Sequence, residues 1–304
     1  MMRRTILVGA ALAGMLALAG CGSTSEDEDR PTVVVTTNIL GDVVENVVGD
    51  AAEVTTLMKP DADPHSFEIS AQEASLLSRA DLVVSNGLGL EEGLQQHLDR
   101  AADAGVDTFV AGNTIDVLAY SEENEGTPDP HFWTDPTRMR DVVDALADAL
   151  VSIDGIDKRA IDENAARYRV ELAELEKEMT AAFDSVPADR RSLVTNHHVF
   201  GYLAERFDFR IVGAIIPGGT TLASPSASDL RELSSAIAES GVPAIFAESS
   251  QPDRLVQVLA DEAGVDVDVI ELFTESLTAP GQGAESYLEM MRANTERITA
   301  GLSP

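Results

Sequence analysis

The sequence is short of cysteine, of aromatic residues and of positive charge. One of the 304 residues is cysteine, Cys21, so no disulfide can form within the chain. Lysine and arginine together number 21, against 53 aspartate and glutamate residues, and the formal net charge is −32. Nucleic-acid binding depends on basic side chains that neutralise phosphates, so this balance argues against a nucleic-acid partner. A mean hydropathy of −0.02 excludes a polytopic membrane protein.

A long apolar run occurs at the N-terminus, from Ile6 to Ala19, directly after Arg3-Arg4. The basic start, the short apolar stretch and the small residues behind it predict an export signal over residues 1–20, by either the general or the twin-arginine route. Leu18-Ala19-Gly20-Cys21 is similar to a lipobox, so Cys21 is expected to carry a lipid; the alternative is a secretory signal with an incidental cysteine. Residues 21–30 are small and charged and predict a disordered tether. We therefore expect a cell-membrane protein that is lipid-anchored on the extracytoplasmic face.

Beyond residue 30, short β-branched runs alternate with amphipathic helical stretches. This alternation predicts parallel sheets with helices on both faces, an α/β fold. The predicted strands are residues 31–38, 53–58, 81–85, 108–110, 192–196, 211–216, 244–248 and 267–272. The predicted helices include residues 91–104 and 254–263, and an acidic surface loop is predicted around residues 122–125.

A stretch without glycine or proline, residues 158–183, separates the two sets of strands. Its apolar residues recur at helical spacing and predict a helix roughly 40 Å long. We therefore predict two α/β lobes, residues 31–155 and 187–304, joined by one long rigid helix within residues 156–186. A coiled-coil oligomerisation helix is the alternative, but the apolar stripe lasts under four heptads, so a monomer is expected.

Histidine is scarce, with 5 in the chain, and two of them stand in identical tripeptides, Asp63-Pro64-His65 and Asp129-Pro130-His131. Proline fixes its own φ and extends the residue before it, so each imidazole follows a stiff corner. Asp63 and Asp129 are expected either to accept a hydrogen bond from the ring N–H or to cap the turn. A third candidate is His197, in a His197-His198 pair after a predicted strand. His97 lies in a polar helical stretch and is interpreted as a solvated bystander.

Four candidate metal ligands follow predicted strands or the loops beyond them: His65, His131, His197 and Glu275. Ligands of open parallel sheets bind beyond the carboxyl ends of the strands. Two of these positions belong to each predicted lobe, so we expect the four side chains to meet in a cleft between the lobes. Three imidazoles and one carboxylate suit tetrahedral zinc, and imidazole also suits other first-row ions.

Four segments of the chain resemble motifs of one protein family. Lys59–Glu68 resembles the G-x-D-P-H-x-Y/F-E segment of the zinc- and manganese-binding solute-binding lipoproteins of ABC transporters, the metal-binding cluster A-I family. Asp129–Pro136 is similar to their D-P-H-x-W-x-D-P, and Thr195–Tyr202 to their T-x-H-x-A-F-G-Y. Residues 274–291 look like their C-terminal signature. The resemblance covers nearly all of the chain after the tether.

The resemblance implies two α/β lobes, one long linking helix and a single metal in the cleft. The ligands would be His65, His131, His197 and Glu275, the last standing where the family usually has aspartate. His198 stands where aspartate is common in the family, and its role is open. The implied function is not enzymatic: the protein would bind zinc, or manganese in second place, and deliver the ion to an ABC permease. Histidine at 197, where manganese-adapted members often have glutamate, favours zinc.

Two other functions are compatible with the same residues. A zinc hydrolase or lyase needs an open metal position, which exists only if Glu275 does not bind the ion. A surface adhesin with an incidental metal is the second alternative. For the transport function, a rigid linking helix should resist a wide hinge, so we expect modest closure around the metal with ordering of the loop 217–225.

Overall fold

The computed structural model describes residues 30–120, 126–216, 218–249, 256–257 and 267–303. The predicted export signal, Cys21, nearly all of the tether, the acidic loop around residues 122–125 and most of a predicted helix over 254–263 lie outside the described residues. Within the described part of the chain, no helix has both the length and the apolar character that a membrane crossing requires.

The N-terminal lobe is built on a four-stranded parallel sheet in the order β2-β1-β3-β4. Its two central strands, β1 and β3, are buried because their valines face helices on both sides. The strands are β1 (Thr32–Val35), β2 (Glu53–Thr56), β3 (Leu82–Ser85) and β4 (Asp107–Val110). The helices are α1 (Asn38–Val48), α2 (Ala71–Leu77), α3 (Gln95–Asp103) and α4 (Pro136–Leu150).

A single helix, α5 (Lys158–Asp184), connects the two lobes. Its 27 residues extend over about 40 Å. The buried face repeats at helical spacing and comprises Ile161, Ala165, Tyr168, Leu172, Leu175, Met179 and Phe183. This face packs against α1 and α4 of the first lobe and against the last helix of the second. The same apolar cluster therefore continues from one lobe into the other.

The C-terminal lobe repeats the topology of the first, with a parallel sheet in the order β6-β5-β7-β8. The strands are β5 (Ser192–Thr195), β6 (Arg210–Ala214), β7 (Ala244–Glu248) and β8 (Asp268–Leu272). The described α-helices of more than two residues are α6 (Gly201–Phe207), α7 (Ala227–Ser240) and α8 (Tyr287–Leu302). The predicted α/β fold with two parallel-sheet lobes and one long helix between them is confirmed.

One helix begins later than the pattern predicts. A helical stretch was expected from Glu91, but α3 begins at Gln95. The reason is tertiary: Glu91 is buried, and its carboxylate accepts hydrogen bonds from the backbone N–H groups of Asn86 and Gly87 and from the Thr36 hydroxyl. The residues around Glu91 form a turn that its carboxylate stabilises, and the helix begins after this turn.

Candidate metal centre

The structure brings together the four side chains that the sequence identified as candidate ligands. His65, His131, His197 and Glu275 are 2, 0, 0 and 1% exposed, and one ligand atom from each lies within 4.8 Å of the others. Glu275 Oε1 is 2.9 Å from His65 Nε2 and 3.2 Å from the Nε2 atoms of both His131 and His197. Four donors that are far apart in the chain thus point at one buried position between the lobes.

The two Asp-Pro-His corners place His65 and His131 in the same way but hold their rings differently. Asp63 Oδ1 accepts the His65 backbone N–H at 2.8 Å, and Asp129 Oδ1 accepts the His131 backbone N–H at 3.0 Å, so both aspartates cap their turns. Asp129 Oδ1 also lies 2.7 Å from His131 Nδ1. Within the described residues, His65 Nδ1 is buried and has no hydrogen-bond partner. Asp63 is therefore a turn cap, whereas Asp129 caps the turn and orients the ring.

His197 follows β5 and is held from the neighbouring strand. Its Nδ1 lies 3.1 Å from Oε2 of Glu248, the last residue of β7. A neutral imidazole that donates Nδ1–H to a carboxylate presents the lone pair of Nε2 to the centre. Sequence reasoning missed Glu248, although a signal existed: it is an acidic residue at the carboxyl end of a predicted buried strand.

Glu275 is positioned by the backbone on both sides of it. The indole of Trp133 donates a hydrogen bond to the Thr274 carbonyl at 2.8 Å. The Asn38 amide donates to the Ser276 hydroxyl at 2.8 Å and accepts from the Leu277 N–H at 3.0 Å. These hydrogen bonds fix the backbone on both sides of Glu275, so its carboxylate is directed at the imidazole rings of His65, His131 and His197.

Residues 218–222 of the C-terminal lobe, which we call the strap, lie against the loops that carry the histidines. The Thr221 hydroxyl donates to Asp63 at 2.6 Å, and the His198 N–H donates to the Gly218 carbonyl at 3.3 Å. Gly219 sits so close to Tyr120 that an added Cβ would fall 1.9 Å from the phenol oxygen. Tyr120 in turn donates to Asp129. The strap therefore contacts all three of the loops that carry the histidines.

The remaining two histidines do not belong to the centre. His198 is half-buried, with its ring centroid 6.3 Å from that of Tyr120, and both residues line a cleft of about 460 Å³ next to the centre. His97 lies on α3 and is partly exposed. Neither is among the four side chains that converge.

The spacing of the donors fits a tetrahedral ion. His131 Nε2 is 3.4 Å from the Nε2 atoms of His65 and of His197. Ligand atoms bound at about 2.0–2.1 Å in tetrahedral geometry stand about 3.3–3.4 Å apart. These two distances, and the 3.2 Å from Glu275 Oε1 to His131 and His197, are thus close to those that a zinc-sized ion would impose, whereas His65 Nε2 and Glu275 Oε1 are closer, at 2.9 Å.

Comparison with known proteins shows the family of this chain. The profile of the ZnuA family, described as "Zinc-uptake complex component A periplasmic", matches residues 33–301. This chain belongs to the ZnuA family. The family predicted from the four sequence motifs is therefore confirmed.

Relatives of this ZnuA-family chain carry names that refer to both zinc and manganese. The chain is 32% identical over 292 residues to the manganese-binding lipoprotein MntA of Halalkalibacterium halodurans, covering 95% of each chain. It is 28% identical over 302 residues to the manganese ABC transporter substrate-binding lipoprotein PsaA of Streptococcus pneumoniae, covering 97% of this chain and 96% of PsaA. The solved structure of the periplasmic zinc binding protein TroA from Treponema pallidum matches with a TM-score of 0.84 and 31% identity, over 90% of this chain and 100% of TroA.

Charge in the centre of this ZnuA-family protein is balanced between carboxylates and imidazoles. Burial lowers the pKa of His131, but its hydrogen bonds to Asp129 and Glu275 outweigh that effect and leave the pKa raised. Burial acts likewise on His197, yet the charges of Glu275 and Glu248 hold its pKa well above the usual value. Burial raises the pKa of Glu275, while the adjacent histidines, His197 first, bring it well below the usual range.

The raised pKa values of His131 and His197 favour protons on these two rings, which offset the charge of the buried carboxylates when no metal is bound. A cation that binds here must displace those protons, because metal ligation requires the lone pairs of neutral imidazoles. A metal cation that bound at this centre would therefore exchange with protons.

Proposed function

We propose that this protein captures a divalent transition-metal ion, zinc in preference to manganese, outside the cytoplasmic membrane and delivers it to an ABC permease. The observation that carries the proposal is the convergence of four buried donors, all within 4.8 Å of one another, between two lobes. We further propose that His65, His131, His197 and Glu275 are the ligands. Membership in the ZnuA family and the names of the relatives MntA, PsaA and TroA support the transport role.

The donor set supports zinc as the preferred ion. Three imidazole nitrogens and one carboxylate oxygen match the ligands that zinc takes in four-coordinate sites, whereas manganese is better served by oxygen-rich, octahedral sets. The decisive position is His197, since a carboxylate there would shift the set toward oxygen.

The same geometry supports a carrier rather than a hydrolase. A catalytic zinc keeps an open position for water or substrate. Here Glu275 Oε1 lies within 3.2 Å of each imidazole Nε2, where a fourth ligand would be, and the four side chains are at most 2% exposed. An ion enclosed in this way is retained and shielded rather than offered to a substrate.

We propose that the mature chain is held at the membrane by a lipid on Cys21 and works as a monomer with the permease and ATPase of its transporter. The lipobox-like sequence and the word lipoprotein in the names of MntA and PsaA support the anchor. The acidic composition is compatible with a soluble body that collects cations near the membrane surface.

The test is a metal-binding measurement on the chain without its export signal. We expect one zinc per chain by elemental analysis and a higher affinity for zinc than for manganese in competition titrations. His131→Ala should lose tight zinc binding. His97→Ala, which changes a histidine outside the centre, is the matched control and should bind as the parent does.

Two results would contradict the proposal. Zinc binding that is equally tight in His131→Ala and in the parent would remove the ligand assignment. Normal zinc uptake by cells that lack this protein, grown in zinc-poor medium, would remove the transport role.

A further inference from the structure

The segment that carries Glu275 belongs to the C-terminal half of the chain, yet its backbone is bound to the N-terminal lobe. We call residues 274–277 the crossing segment. Three buried hydrogen bonds to the first lobe join Trp133 Nε1 to the Thr274 carbonyl (2.8 Å), Asn38 Nδ2 to Ser276 Oγ (2.8 Å) and Leu277 N–H to Asn38 Oδ1 (3.0 Å). A further bond joins Asp61 N–H to the Leu277 carbonyl (3.0 Å).

The path of the chain explains this attachment. After β8 ends at Leu272, the chain leaves the C-terminal sheet and contacts the first lobe through the crossing segment. It is still bound there at Tyr287, whose N–H donates to Asp42 at 3.0 Å and whose hydroxyl donates to the Trp133 carbonyl at 2.7 Å. Only later does α8 return to the C-terminal sheet, where Gly301 packs against Ile270 and Ala244.

His197, by contrast, is anchored in the C-terminal lobe. It directly follows β5, and Glu248 of β7 binds its ring. By its place in the chain Glu275 follows β8 of the second lobe, as expected, but its backbone is hydrogen-bonded to the first lobe. Three donors are attached to the first lobe and one to the second, although the carboxylate of Glu275 itself reaches His197.

We propose that the centre consists of a three-donor half-site on the N-terminal lobe, formed by His65, His131 and Glu275, which His197 completes when the lobes close. The ion then enters and leaves by separation of His197 from the other three donors. This inference rests on the proposed function, since it describes how the same site takes up and releases its ion.

The cost of the two possible separations supports this order. Moving Glu275 away from the first lobe would leave the hydrogen-bonding groups of the crossing segment, and of Asn38 and Trp133, without partners inside the protein, which is expensive for buried groups. Moving His197 away leaves its bond to Glu248 intact. Opening at His197 breaks the contact between Thr221 of the strap and Asp63 and both hydrogen bonds of the Tyr202 hydroxyl, which donates to the Asp129 carbonyl and accepts the Leu118 N–H. Fewer hydrogen-bonding groups lose a partner in this separation than in the first.

Zinc binding by single variants gives the first test. His197→Ala should still bind one zinc per chain, with weaker affinity and faster release, because the three remaining donors stay together on one lobe. His131→Ala should lose more affinity, because its remaining donors are divided between the lobes. An equal loss in the two variants, or a larger loss in His197→Ala, would overturn the inference.

Distances between spin labels give the second test, which does not depend on ligand removal. With Cys21 changed to serine, cysteines introduced at the exposed positions Arg100 (α3), Ala238 (α7) and Gln282 (after the crossing segment) are the only ones in the chain. On addition of zinc, the 100–238 distance should change by about 2 Å or more while the 100–282 distance stays constant. If position 282 moves together with 238, or 238 does not move, the inference is wrong.

A substitution that touches no ligand completes the design. Asn38→Ala removes the amide that holds the crossing segment, so zinc affinity should fall and the 100–282 distance should become sensitive to zinc. Asn46→Ala, on the same helix, removes only a bond to the Asp42 carbonyl and is the matched control. A parent protein that binds no zinc would refute the proposed function itself, whereas a parent that binds zinc with the opposite distance pattern would refute this inference alone.

Discussion

Asp42 is an acidic side chain whose surroundings in the folded protein disfavour its charged form. It lies on α1, and its Oδ2 accepts the N–H of Tyr287 at the start of α8. Burial raises the pKa of Asp42 from 3.8 to about 6, against the lowering effect of the Tyr287 N–H, and nearby acidic groups such as Glu45 and Glu289 add to the rise. We predict that Asp42→Asn stabilises the metal-free protein at neutral pH, because the amide keeps an oxygen for Tyr287 and carries no charge.

The size and sign of the effect follow from the shift in pKa. A shift of roughly two units corresponds to about 3 kcal/mol, and residual contact with solvent reduces this to about 2–3 kcal/mol. Because the folded value exceeds the unfolded one, the protonated carboxyl favours folding below the unfolded pKa, and this contribution is lost as pH rises through about 6. The advantage of Asp42→Asn should therefore be absent near pH 4 and complete above about pH 7.

Thermal and urea unfolding in the presence of a chelator measure this difference at the two pH values. Glu45→Gln is the control, since Glu45 is exposed on the same helix and its substitution lowers the net negative charge equally. The reasoning would be refuted by an equal gain in Glu45→Gln, by a gain in Asp42→Asn that does not depend on pH, or by a loss of stability at neutral pH.

The other predictions concern the centre and the packing of α1. Asp129→Asn should weaken zinc binding about 10–100-fold in competition titrations, because the ring of His131 loses its charged partner. Asp63→Asn changes only a turn cap and should weaken zinc binding less. An equal loss in the two variants would contradict the different roles of Asp129 and Asp63. Zinc affinity should rise with pH through the range in which the metal-free centre loses its protons, since the pKa of His197 is raised, and calorimetry in buffers of different ionisation enthalpy should detect proton release. Gly41→Ala should lower the free energy of unfolding by about 1–3 kcal/mol, because the added Cβ would lie 2.3 Å from Thr56 Oγ1. Adding Thr56→Ala should restore part of this loss, as measured by urea unfolding.

The parts of the centre that could be predicted are those with a local signal. His65 and His131 stand out because the proline before each fixes the backbone within three residues. His197 and Glu275 could be found because each follows a predicted strand, and the carboxyl ends of parallel strands are where ligands bind. The helix α5 was predictable because its apolar stripe runs without a glycine or proline for its whole length.

Glu248 and the late start of α3 could not be found in the same way. Glu248 orients His197 only because β7 pairs with β5. The sequence of a single strand does not show which strand it pairs with. The turn before α3 depends on Glu91 being buried against Thr36, a residue of the first strand's loop. In both cases a long-range contact overrides or completes a local preference.

The sequence by itself determined which side chains can bind a metal, the stiff corners that carry two of them, the alternation of strands and helices and the family of the protein. These properties depend on residues that are neighbours in the chain. Only the tertiary structure decided that Asp129 and not Asp63 touches an imidazole ring, that His198 stays out of the centre, and that Glu275 is held by the first lobe. These outcomes depend on hydrogen bonds between residues as far apart as Asn38 and Leu277, which exist only after both lobes have packed on α5.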